Sequence, residues 1–121
     1  MTTIRSLALA ALAAAALAGA ASAVQSPPKK AYILVQVTNP TQYAQYTKLS
    51  PGIIEQFGGR FLARGGRTTT LEGPPAKGRV VVIEFPSYER AQEFYDSTEY
   101  QAARKVRAGA ASAQFVLVEG Q

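Results

Sequence analysis

The chain contains neither cysteine nor histidine. Without cysteine there are no disulfides, so the fold must be held by its core and by assembly. A leader cleavage site without a thiol also rules out lipid attachment of the bacterial lipoprotein kind. Without histidine there is no imidazole base, no Ser-His or Cys-His nucleophile and no histidine metal ligand. Zinc, copper and haem sites of the usual kinds are set aside on the same ground, and neither a metal nor a cofactor is expected. The acids Glu89, Glu93, Asp96 and Glu99 lack calcium-loop spacing and read as a solvated helix face. Charge of one sign is not extreme: 13 Lys and Arg stand against 8 Asp and Glu, a net of +5. That excess favours anionic ligands only mildly, and no nucleic-acid partner is expected.

Long apolar runs are scarce. Ser6–Ala18 is one, and it falls short of the roughly 20 residues that span a bilayer. Arg5 precedes it, and small residues ending in Ala21-Ser22-Ala23 follow. These are the parts of a secretory signal. Residues 1–23 are therefore expected to be a signal peptide cleaved after Ala23, with Ala20 as the alternative. The mature domain would be periplasmic or secreted, without stable membrane association. Residues 24–30 contain Pro27-Pro28 and read as a disordered lead-in. Residues 31–120 amount to one small domain.

Within that domain, Ala31–Thr38 is rich in β-branched and aromatic residues and reads as a strand. Asn39-Pro40 offers a helix cap and a first-turn proline. Tyr43, Tyr46, Ser50, Ile53, Ile54 and Phe57 then recur at helical spacing. Pro51 predicts a kink or two helical pieces, and Gly58-Gly59 a stop. Arg60–Arg64 is a second strand. Thr68–Glu72 continues in β-prone residues, and Gly73–Gly78 is a loop by composition. Arg79–Phe85 is the third strand. Ser87 caps the next helix, which carries Ala91, Phe94 and Tyr95. Ser97 caps a further piece carrying Tyr100, Ala103, Arg104 and Arg107. Gln114–Glu119 is the fourth strand. The order βαββαβ predicts a ferredoxin-like α+β sandwich, a four-stranded antiparallel sheet with helices on one face.

Side chains alternate along a strand. Ile33, Val35, Val37, Phe61, Ala63, Val81, Ile83, Phe85, Phe115 and Leu117 form a purely apolar set, assigned to the helices. The opposite set mixes Leu34, Leu62, Val80, Val82, Val116 and Val118 with Gln36, Arg64, Glu84 and Gln114. It is too apolar for a freely solvated sheet. A second copy of the sheet is the simplest cover, so a homodimer enclosing a partly apolar cavity is expected.

Arg64 and Glu84 are the candidate catalytic pair, both assigned to that cavity face. A carboxylate in an apolar pocket can have a raised pKa and shuttle protons. An arginine there can hold a carboxylate or enolate oxygen. Alternatively the two pair with each other, or across the dimer, and only fix its register. Candidate ligand-binding residues are Gln36, Arg64, Glu84, Tyr95 and Tyr100, the two tyrosines because they flank the helix break at Asp96-Ser97. Arg64-Gly65-Gly66-Arg67 lacks phosphate-loop spacing and reads as a bulge or turn. Arg104, Lys105 and Arg107 read as a basic helix end that complements the helix dipole.

The segments Ala31-Tyr32-Ile33, Phe57–Gly66, Leu71-Glu72-Gly73, Ile83–Ser87, Phe94-Tyr95, Tyr100-Gln101 and Glu119-Gly120 together resemble the DUF1330 family. This is a bacterial family of unknown function within the dimeric α/β-barrel group. The resemblance implies a ferredoxin-like subunit that pairs sheet to sheet, and it implies no activity, since fold alone does not carry function across. Three readings stay open. The first is binding of a small, partly apolar ligand in a dimer-interface cavity. The second is a cofactor-independent enzyme, a proton-transfer, isomerase or monooxygenase-like catalyst with Glu84 as base. The third is a structural homodimer without a ligand.

Overall fold

The computed structural model describes residues 26–38, 40–108 and 112–121; the expected signal peptide (residues 1–23) and the expected cap Asn39 lie outside them. Of the expected lead-in, residues 26–30 are exposed and carry no regular structure. Four strands follow: β1 (Ala31–Val37), β2 (Arg60–Arg64), β3 (Arg79–Phe85) and β4 (Ala113–Glu119). Three helices connect them: α1 (Pro40–Gln56), α2 (Tyr88–Asp96) and α3 (Thr98–Arg107). The sheet order is β2-β3-β1-β4 and every neighbouring pair is antiparallel. This is the ferredoxin-like arrangement.

Alternation settles the two faces. Ile33, Val35 and Val37 of β1 lie opposite Ile83, Val81 and Arg79 of β3. The apolar members of this set are buried with Phe85, Phe94 and Tyr100 in one core, and Phe115 and Leu117 of β4 pack against its edge. Burying an aromatic or aliphatic side chain of this kind stabilises by about 1.5–3 kcal/mol. The opposite face stays open: Leu34, Leu62, Val116 and Val118 are each close to half exposed.

One strand breaks the alternation. Phe61 lies opposite Ile83, but Ala63 lies opposite Val82 and Arg64 opposite Val81, with a register shift between Phe61 and Ala63. Leu62 is thus the extra residue of a β-bulge. Beyond it every side chain changes face. Ala63 turns to the open side, and Arg64 shares the side of Val81. The expected placement of Arg64 beside Glu84 is corrected on this ground.

The helices follow their local signals. Ser87 accepts a bond from the Arg90 backbone N–H (3.0 Å) and caps α2, worth about 1 kcal/mol. α1 runs as one helix with Pro51 inside it, not as two pieces. Thr68–Glu72 does not extend β2; residues 65–78 form an exposed loop without strand pairing, with Leu71 at 93% exposure. The neck of this loop is closed by the Gly65 N–H donating to the Val80 carbonyl (2.9 Å). Gly78 sits there at φ +70°, where a Cβ would run into the Val37 carbonyl. A side chain at that backbone conformation costs about 1–3 kcal/mol before any clash is counted. Gly78→Ala is therefore expected to lose at least that much unfolding free energy, read as a lower urea midpoint. A variant with an unchanged midpoint would contradict this neck.

Candidate functional site

Helix α3 places its residues at 3.6-residue spacing, so Tyr100, Ala103 and Arg107 share one face. All three are buried. Ser97 fixes the start of this helix. Its hydroxyl donates to the Phe94 carbonyl (2.7 Å) and accepts from the Tyr100 backbone N–H (3.1 Å). The Gln101 side chain donates to the Tyr95 carbonyl (2.7 Å) and ties α3 back to α2. One serine thus ends α2, begins α3 and points Tyr100 and Arg107 inward.

Arg107 is 6% exposed. Its Nη2 donates to the Tyr100 hydroxyl (3.0 Å), which lies 2.8 Å from the Tyr46 hydroxyl. Its guanidinium carbon lies 5.1 Å from the centroid of the Tyr46 ring and 4.7 Å from that of Phe115. Its Nε is buried and has no hydrogen-bond partner. No carboxylate reaches it. All eight acids of the chain lie among the described residues, and only Glu84 and Glu93 form ion pairs there, with Lys30 and Arg60 and with Arg90. Burying a charge without a counterion is costly. Two cation–π contacts, about 0.5–2 kcal/mol each, and one hydrogen bond offset only part of that cost.

The titrating groups around it are fixed in opposite forms. Burial pushes the Tyr46 phenol far up, and Tyr100 and its hydrogen bond push it further. Burial also raises Tyr100, partly countered by its bonds to Tyr46 and Arg107. Both phenols are neutral at physiological pH. Burial works against the Arg107 charge, but the tyrosine oxygens around it, the hydrogen-bonded Tyr100 first, outweigh burial and hold its pKa above the ordinary value. A neutral, hydroxyl-rich cradle therefore holds a permanent cation.

This cation borders a cleft. Helix α2 lies over β1, β3 and β4, whereas α3 packs chiefly on α1. A gap of about 320 Å³ remains where α2 and α3 meet the edge strand β4, and it is called the α3–β4 cleft after the elements that carry Arg107 and Phe115. Ile33, Ala91, Phe115 and Leu117 give it apolar walls; Gln92, Tyr95, Arg104 and Arg107 give it polar ones. Phe115 and Leu117 are only half-buried because the cleft opens beside them. The lining can hold a flat or aliphatic body and one negative charge. It contains no carboxylate, hydroxyl of serine or threonine, or other ready proton acceptor among the described residues.

The expected site residues separate. Tyr95 lines the cleft, and Tyr100 stands behind it as the partner of Arg107. Gln36 is exposed on the open face, beside the 65–78 loop. Glu84 is also on that face, opposite Tyr32 and Arg60. It accepts from Arg60 Nε (2.9 Å) and lies 3.5 Å from Lys30 Nζ. Arg64 stacks over Phe61 at 4.3 Å. The structure therefore does not bring Arg64 and Glu84 together; Arg60 is the partner of Glu84. Nor is the Glu84 pKa raised. The hydrogen bond from Arg60, with the nearby positive charges, holds it below the usual carboxylate range, so it is no poised base. Sequence reading passed over Arg107 by grouping it with Arg104 and Lys105 as a dipole-directed cluster. Its spacing of seven from Tyr100 was the available signal.

The lowered pKa of Glu84 fixes a sign. A depressed folded pKa contributes stability above the unfolded value, and that contribution is lost as pH falls through the folded one. Glu84→Gln should therefore be less stable than the parent at neutral pH. The gap should close as pH drops below the carboxylate range, followed by urea unfolding across pH. A gap that persists unchanged into acid would contradict the ion pairs.

The fold has known counterparts. A protein of unknown function from Rhodopseudomonas palustris, RPA0582, superposes with a TM-score of 0.63 at 22% identity, over 77% of this chain and 83% of that one. SnoaB, a cofactor-independent oxygenase from Streptomyces nogalater, superposes with a TM-score of 0.47 at 9% identity, over 77% of this chain and 94% of its own. No curated protein matches the chain. The domain of unknown function DUF1330 matches residues 30–121, and the chain belongs to that family.

Proposed function

We propose that the protein binds a small, partly apolar anion in the cleft between α3 and β4, with Arg107 as its anchor. The observation that carries this is the buried guanidinium without a carboxylate, its Nε unpartnered, at the wall of a cavity of about 320 Å³. A ligand carboxylate would supply the missing counterion by a charge-assisted bond. Phe115, Leu117 and Ile33 would take its apolar body, and Arg104 adds positive charge to the same lining. The cleft lies inside one subunit, whereas the sequence pointed to a cavity between two sheets. Apolar walls with a few convergent polar groups are the chemistry of a binding site.

In this reading the domain acts as an exported homodimer. The signal-like pattern of residues 1–23 supports export. The apolar open face, with Leu34, Val116 and Val118 exposed, supports a second copy as its cover.

Calorimetric titration with 2-naphthoate tests the anchor. The parent should bind it saturably, and Arg107→Gln should weaken binding on the order of tenfold or more, as expected for a lost bond to a charged group. Arg107→Lys, which keeps the charge, should fall between. Native mass spectrometry of the same samples should show a dimer carrying the ligand. A folded Arg107→Gln variant that binds naphthoate like the parent would sink the proposal.

A further inference from the structure

Arg107 is not the only guanidinium of this kind. Among the described residues, the buried side-chain polar atoms without a hydrogen-bond partner are Nε of Arg107 and Nε of Arg79. Arg79 opens β3, opposite the buried Val37. Its Nη2 reaches only the Arg64 carbonyl, at a long 3.4 Å. None of the chain's acids pairs with it.

The surroundings of Arg79 are shaped around its head group. Gly65 stands at φ +66°, and a Cβ there would collide with the Arg79 guanidinium. Glycine there suits the left-handed backbone and leaves the guanidinium its present position. Beside them is a hollow of about 290 Å³ bordered by Tyr43, Gly65, Gly66, Gly78 and Arg79, with Val37 and Val80 as apolar walls. Tyr43 is buried, and burial raises its phenol pKa although the Arg79 charge works the other way. Its hydroxyl is therefore a neutral donor near a fixed cation. Positive charge and a neutral phenol both favour an anionic acceptor. None of these residues lines the α3–β4 cleft.

We propose that the neck of the β2–β3 loop is a second, separate anion site. It takes the oxyanion group, phosphoryl or carboxylate, of a small molecule, with Arg79 as the charged donor and Tyr43 as the neutral one. The Arg64-Gly65-Gly66 segment supplies the room rather than a phosphate-loop motif. The site does not depend on the Arg107 reading.

The test is the set of arginine Nε–Hε resonances of the ¹⁵N-labelled protein, titrated with inorganic phosphate and, separately, with acetate. The Arg79 resonance should move saturably with at least one of them, and which one saturates identifies phosphoryl or carboxylate as the preferred group. The movement should survive in Arg107→Gln. Arg79→Lys keeps a charge but lacks the guanidinium fork, and its affinity for the same anion should fall on the order of tenfold. Because the main readout is in the unsubstituted protein, it does not hang on a variant folding. An Arg79 resonance that stays still, or drifts without saturating, with both anions overturns the proposal. So does its loss in Arg107→Gln, which would make the two sites one. Either failure leaves naphthoate binding at Arg107 to stand or fall by its own titration.

Discussion

A guanidinium taken out of water without a carboxylate is the constraint around which the helical side of this domain is arranged. The desolvation of such a charge costs several kcal/mol, and the chain answers with what it has. Tyr46 and Phe115 present ring faces, and Tyr100 presents an oxygen. Neither phenol can ionise there to neutralise the charge, because burial holds both protonated. The consequence is a buried cation with no counterion among the described residues. Ser97 makes this possible from a distance, since its two hydrogen bonds set the direction of α3 and so of Tyr100 and Arg107.

The two faces of the sheet divide the charges between them. On the open face Glu84 is matched by Arg60 and Lys30, a local ion cluster at the end of the strands. On the helical face Arg79 and Arg107 stand without any acid, and each borders a cavity. A protein that used its arginines only to fix register would pair them as it pairs Arg60. The contrast between the paired Arg60 and the unpaired Arg79 and Arg107 is the feature on which the proposed ligand sites rest.

Much of this architecture was legible in the residues. β-branched runs, glycine stops and serine caps fixed the order of elements, and strict alternation in β1 and β3 sorted core from open face. The failures have definite causes. Alternation assumes an unbroken register, and the bulge at Leu62 reverses every side chain after it; Arg64 changed sides for that reason alone. Arg107 belongs to two patterns, a basic helix end and the inward face with Tyr100 and Ala103. Charge suggested the surface, whereas periodicity decided the outcome. The cleft itself depends on α3 leaning on α1 and away from β4, a matter of helix packing that no local run of residues encodes. The Arg79 hollow likewise needs β2, β3 and the 65–78 loop to meet in space.

Anomalous diffraction from crystals of the protein soaked in bromide puts the central claim to its most direct test, because the ion reports where an uncompensated buried cation accepts a negative charge. The account predicts a bromide in the α3–β4 cleft against the Arg107 guanidinium, with Tyr100 and Tyr46 in their present places. Arg107 found paired to a carboxylate of its own chain, with no bromide in the cleft, would contradict it.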